Sequence, residues 1–154
     1  MTTPATTVHS HGVDVLHPLV ASAFGAAVFA TSMAAGEAFD LNADSGSDSG
    51  VGTSDLLAYA GFVLAAAVIA VSLGLWARAG SPRRLSRTAL GLAVAAAVTV
   101  VAFWSSWPLV FGATAVALAM EHRRRLGSLS ATSAGAAVVG ALALSVAALF
   151  CVIG

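Results

Sequence analysis

The chain has 154 residues, 58% of them hydrophobic and 9% charged, with no net charge at pH 7 and a mean hydropathy of +0.92. A soluble domain carries about a quarter charged residues, so this sequence lacks the polar surface to cover a water-soluble core, and its neutrality argues against electrostatic binding of nucleic acid. All seven basic residues are arginine, which excludes chemistry that needs a lysine amine, and the single cysteine, Cys151, excludes an intrachain disulfide or a thiol-pair redox cycle.

The N-terminal "MTTPATTVHSHGVDVLHP" has no basic stretch ahead of its apolar run and contains Asp14. It does not read as a cleaved secretory signal. Residues 1–16 are expected to form a polar tail, and 17–153 a transmembrane domain whose first apolar segment stays as an anchor. That segment covers about 17–39, with Pro18 in the first turn, where its missing N–H costs nothing. Residues 40–54 are rich in Asp, Ser and Gly and read as a solvated loop. Thr53 or Ser54 can cap the next helix, with Asp55 in its first turn at the positive end of the dipole. This second span covers about 55–77. Then comes "RAGSPRRLSR", with Gly80 and Pro82 as breakers.

From Thr88 to His122 there is no charge before Glu121. One helix of that length would be roughly 50 Å long at about 1.5 Å per residue, against a hydrocarbon core of about 30 Å. "FWSSWP" supplies the means to reverse. Trp104 and Trp107 are of the type that gathers at the membrane–water interface. Ser105 and Ser106 offer a cap, and Pro108 suits the start of a helix rather than its middle. Two short spans, about 88–104 and 107–122, are therefore expected, the alternative being one long kinked helix and four spans in all. The last span covers about 131–153. Five crossings place both arginine clusters on one side, and the positive-inside rule makes that side cytoplasmic. The expected fold is an all-α, polytopic transmembrane bundle in a bacterial plasma membrane, N-terminus inside and C-terminus outside. The bias toward Arg, Ala, Gly and Val fits a GC-rich bacterial genome.

An ionisable group in mid-membrane marks function by default. Here Glu37, Asp55 and Glu121 all fall near span ends, Glu37 as an interfacial carboxylate. The hydroxyls of Ser22, Thr31, Ser32, Tyr59, Ser72, Thr99, Thr114 and Ser145 suit bonds to helix carbonyls or to neighbouring helices. His9, His11, His17 and His122 are the candidates for a metal site, but their spacing matches no strong motif, and no metal or haem is expected. The motifs of serine hydrolases, zinc proteases and phosphate loops are missing, so no enzyme activity is expected. Arg83, Arg84, Arg123, Arg124 and Arg125 suit anionic lipid head groups. Small residues at helical spacing, above all Gly25, Gly135, Ala136 and Gly140, are candidate helix-packing positions. The function expected is an accessory, structural or assembly subunit of a larger membrane complex, with other membrane subunits or a second copy as partners. The alternative is an oligomeric transporter or channel for a small, weakly polar solute.

Overall fold

The computed structural model describes residues 14–39 and 53–153. Among these the chain forms five α-helices and one 3-10 segment, with no strand: α1 Pro18–Ala38, α2 Thr53–Arg78, α3 Pro82–Thr99, the 3-10 segment Val100–Ser105, α4 Trp107–Leu126 and α5 Ala131–Ile153. The architecture is an all-helical bundle. Local chemistry sets most of the boundaries. Pro18 opens α1, and the His17 ring accepts the Leu19 N–H through Nδ1 at 3.3 Å. Ser81 caps α3 by accepting the Arg84 N–H at 3.4 Å, with Pro82 in the first turn. Gly127, at φ 75°, closes α4 by donating its N–H to Arg123 O at 2.7 Å. Ser130 opens α5, its hydroxyl accepting the Ser133 N–H at 3.2 Å.

The chain reverses between the two tryptophans. After Thr99 the helix tightens into the 3-10 segment, interrupted at Ala102 (φ −111°, ψ 46°), and Ser106 turns into the left-handed region at φ 64°. Its carbonyl then accepts the N–H groups of Leu109 and Val110, which starts α4 in the opposite direction. A contact between the two limbs shows the hairpin: His122, near the end of α4, lies 3.1 Å from the carbonyl of Pro82, the first residue of α3. Both limbs extend further past the arginines than the sequence pattern suggests. α3 starts at Pro82 rather than near 88, because Ser81 and Pro82 form a helix start and arginine is a good helix former. α4 continues to Leu126 until Gly127 stops it. From Arg84 to Trp104 the α3 rod is therefore roughly 30 Å long, the thickness of the hydrocarbon core.

α1, α3 and α5 point away from the arginine end, and α2 and α4 run back toward it. At that end Asp14 meets Arg78 and Arg124, while at the other end Cys151 lies 3.7 Å from Phe103 O. α4 is the central helix, packed against all four others. Residues Pro108–Ala115 are buried without a break, as are Ala117–Ala119, Glu121 and His122. The outer helices turn small residues toward it: Ala66, Ala70, Gly74 and Ala77 of α2, and Ser133, Ala136, Gly140, Ala143 and Ala147 of α5 are all buried. Their large apolar residues point outward, among them Phe24, Leu57, Leu64, Val68, Trp76, Val98, Val138, Leu142 and Leu149. In water that distribution would leave apolar patches far beyond those of a soluble monomer. In lipid it is the expected one, since small faces let backbones approach closely. Four described segments are long and apolar enough to cross a membrane: Pro18–Gly36, Leu57–Arg78, Pro82–Ser105 and Ala131–Ile153. α4 falls outside that set because Glu121 and Arg123–Arg125 crowd its last turns. It connects the far end of the α3 rod to the start of α5, so it must run the same length within the shelter of its neighbours.

Candidate functional site

Polar chemistry in the described residues concentrates at the arginine end. The last turns of α4 place Glu121 inward, and its side chain is only 7% exposed. Arg125, one helical turn on, donates from Nε to Glu121 Oε1 at 2.9 Å. Arg78, from the last turn of α2, lies 3.8 Å from the same oxygen and donates through Nη2 to Asp14 Oδ2 at 2.7 Å. Arg124 closes the network, 3.5 Å from Asp14 and 4.0 Å from Glu121. Two carboxylates and three guanidiniums thereby bind the lead-in to α1, the end of α2 and the end of α4 to one another. The hydrogen bond from Arg78 is the main reason the Asp14 carboxyl titrates below its ordinary value, against a smaller opposing effect of desolvation.

His122 sits beside this network, 4% exposed. Its Nδ1 faces the Pro82 carbonyl at 3.1 Å. A carbonyl only accepts, so Nδ1–H is the donor, and Nε2 is left buried without a partner. No group of three or more potential metal ligands occurs among the described residues. His17 acts at the start of α1 as a backbone acceptor, and His9 and His11 lie outside the described residues. Glu37 lies within α1 by its backbone, and its side chain lies outside what is described, as do the side chains of Thr53, Ser54 and Asp55.

In the middle of the bundle the hydroxyls satisfy helix carbonyls. Thr31 donates to Ala27 O at 2.9 Å, Thr99 to Ala95 O at 2.7 Å and Thr114 to Val110 O at 2.8 Å. Ser22 and Thr114 also meet across the α1–α4 contact at 3.2 Å. Thr31 faces outward while Thr114 is buried, so these hydroxyls line no common path. Gly25 brings α1 onto the α4 backbone, where a Cβ would stand 2.6 Å from Leu109 O. Gly112 and Gly140 do the same between α4 and α5: a Cβ on Gly112 would stand 2.6 Å from Gly140 O. Ala136 is buried on the same ridge of α5, whereas a Cβ on Gly135 would meet nothing within 4 Å. An apolar groove of about 390 Å³ runs between α1 and α2, floored by Ser22 and walled by Leu19, Ala23, Ala67 and Val68.

The two tryptophans of the turn differ. Trp104 is half-exposed at 48%, edge-on to Phe103 at 5.5 Å. Trp107 packs on Phe111 at 5.6 Å and has its Nε1 buried without a partner. Sequence reasoning passed over Trp76, which is 55% exposed at the arginine end with the Arg84 guanidinium 4.4 Å above its ring. It also passed over Asp14 and Arg78 as partners. The available signal was weak: a single carboxylate just ahead of a span, on the side that carries every arginine. Of the arginines read as head-group ligands, Arg124 and Arg125 are held by carboxylates, and Arg84 stacks on Trp76.

No protein-family model, curated protein or solved structure matches the chain. Its functional reading therefore rests on its own geometry.

Proposed function

We propose that this chain is an accessory, structural or assembly subunit of a larger membrane complex, sitting in a bacterial plasma membrane with its arginine end and N-terminus in the cytoplasm. The observation that carries the reading is the filled interior. α4 is enclosed by its neighbours at backbone contact distance through Gly25, Gly112 and Gly140, and the buried carboxylate at its end is occupied by arginines of the same chain. The ion network and the hydroxyls of Ser22, Thr31, Thr99 and Thr114 are thus engaged within the bundle itself. What the chain presents laterally is apolar helix surface, the kind of surface by which membrane subunits associate through packing. The orientation follows from the gathering of all seven arginines at one end.

The test is solubilisation of native membranes in a mild detergent, followed by size analysis and identification of copurifying chains. The expected result is a stable particle containing further membrane proteins. A particle holding one copy of this 15.2 kDa chain and detergent alone would overturn the reading.

A further inference from the structure

The ion network divides the arginines into two groups. Arg78, Arg124 and Arg125 are paired with Asp14 or Glu121, while Arg83, Arg84, Arg87 and Arg123 have no carboxylate within 4.0 Å among the described residues. Arg83 and Arg87 stand one helical turn apart on α3, so they share a face. Both are exposed. That face continues along the helix through Leu90, Val94 and Val98, which are 37%, 51% and 68% exposed. The opposite face, with Leu85, Ala89, Leu92 and Ala96, is buried in the bundle. A single outward stripe thus begins with two unpaired guanidiniums and becomes hydrocarbon. Beside it Arg84 covers Trp76, an aromatic of the kind that sits at head-group depth.

We propose that this stripe of α3 seats one anionic phospholipid, its phosphate held by Arg83 and Arg87 and an acyl chain lying along Leu90, Val94 and Val98. Guanidiniums present forked donors that match phosphate oxygens, and arginine stems extend along apolar surface while the head reaches the interface. The positive charge left over at this end after Asp14 and Glu121 are paired is complementary to an anionic leaflet. The inference rests on the membrane architecture and not on the accessory-subunit reading, so a chain that purifies alone leaves it standing.

The test uses the full chain in a neutral detergent, titrated with phosphatidylglycerol or phosphatidylcholine of identical acyl chains and read by native mass spectrometry. Phosphatidylglycerol should be retained in preference to phosphatidylcholine. R83Q/R87Q should weaken its retention about 25-fold, roughly five-fold per arginine, and leave phosphatidylcholine unchanged. R124Q should change it by well under the roughly five-fold expected of an unpaired arginine, because Arg124 is already held by Asp14 at 3.5 Å. Equal retention of the two lipids by the native chain, or an undiminished preference in R83Q/R87Q, would overturn the proposal. So would displacement of the lipid by millimolar inorganic phosphate, which would mark a site for free anions. R83K/R87K keeps both charges but not the forked donors, so its preference should fall between those of the native chain and the glutamine pair. If the thermal unfolding midpoint of R83Q/R87Q drops along with its lipid retention, the substitutions act by disturbing the helix and the proposal falls.

Discussion

Gly25 and Gly135 are chemically identical residues in apolar helices, and the bundle makes opposite demands on them. At Gly25 a methyl group would stand 2.6–2.9 Å from the backbone of Leu109 and Val110. Backbone cannot rotate away as a side chain can, so α1 would have to lift off α4. Gly25→Ala should therefore destabilise the chain by about 1–3 kcal/mol, the usual cost of overpacking. Gly135→Ala meets open space and should be neutral or stabilising by up to about 1 kcal/mol, because alanine favours helix over glycine. Unfolding of both variants in mixed micelles decides the matter, and equal effects would mean that α1 does not press on the α4 backbone at Gly25. Asp14 allows a second test at the same scale. Its carboxyl is held below the ordinary value of 3.8 chiefly by the Arg78 hydrogen bond. A lowered native value means that Asp14 stabilises fully above pH 3.8 and loses that contribution as the pH falls through the native value. Thermal unfolding between pH 2 and 6 should show this acid step in the native chain and lack it in Asp14→Asn; an unchanged profile would remove the Arg78–Asp14 tie. Glu121→Gln should cost about 1–3 kcal/mol at neutral pH, between the values for exposed and buried ion pairs, because it unpairs Arg125 and weakens the hold on Arg78.

The turn that separates α3 from α4 depends on one unusual residue. Ser106 is fully buried at φ 64°, and its hydroxyl has no partner. A left-handed backbone costs a residue with a Cβ about 1–2 kcal/mol, and an orphaned buried hydroxyl adds to it. Ser106→Gly removes both and should raise stability by about 1 kcal/mol in a denaturation series, while Ser106→Val should lower it, since a branched Cβ fits poorly at positive φ. The existence of this reversal was legible in the sequence: helix length against bilayer thickness, two tryptophans and Pro108 all pointed to it. The start of α3 was less so. Arginines suggested a loop, yet Ser81 and Pro82 start a helix that carries Arg83, Arg84 and Arg87 on its surface. Least legible was the rank of α4. It is the most charged helix of the chain and also the most enclosed, and hydropathy does not reveal enclosure when small residues form the core and large ones face lipid. The ionic network was unreadable for a related reason. Asp14 and Arg78 are 64 positions apart, and only the antiparallel return of α2 along α1 brings them together.

At the scale of the whole molecule, a net charge of zero conceals a sharp separation. All seven arginines lie at one end with only Asp14 and Glu121 to balance them, and the other five carboxylates, Glu37, Asp40, Asp44, Asp48 and Asp55, all fall in the stretch from the end of α1 to the start of α2. Reversing the bundle in a membrane would carry every arginine-bearing connection across the bilayer, which insertion disfavours. The connection at Ala79–Ser81 and that at Gly127–Ser130 should therefore respond identically to any reagent confined to one side. The chain's own cysteine makes the experiment clean, because Cys151 is buried and can be replaced by serine at its 3.7 Å contact with Phe103 O. In a Cys151→Ser background, Ala79→Cys and Ser128→Cys should both resist a membrane-impermeant maleimide in intact cells and both react after permeabilisation. Ser45→Cys, in the acidic stretch, should react at once. If one arginine-side cysteine reacts from outside while the other does not, the five helices do not traverse the bilayer together. If both react and the residue-45 cysteine is protected, the bundle stands but faces the other way, and arginine count has not governed its insertion.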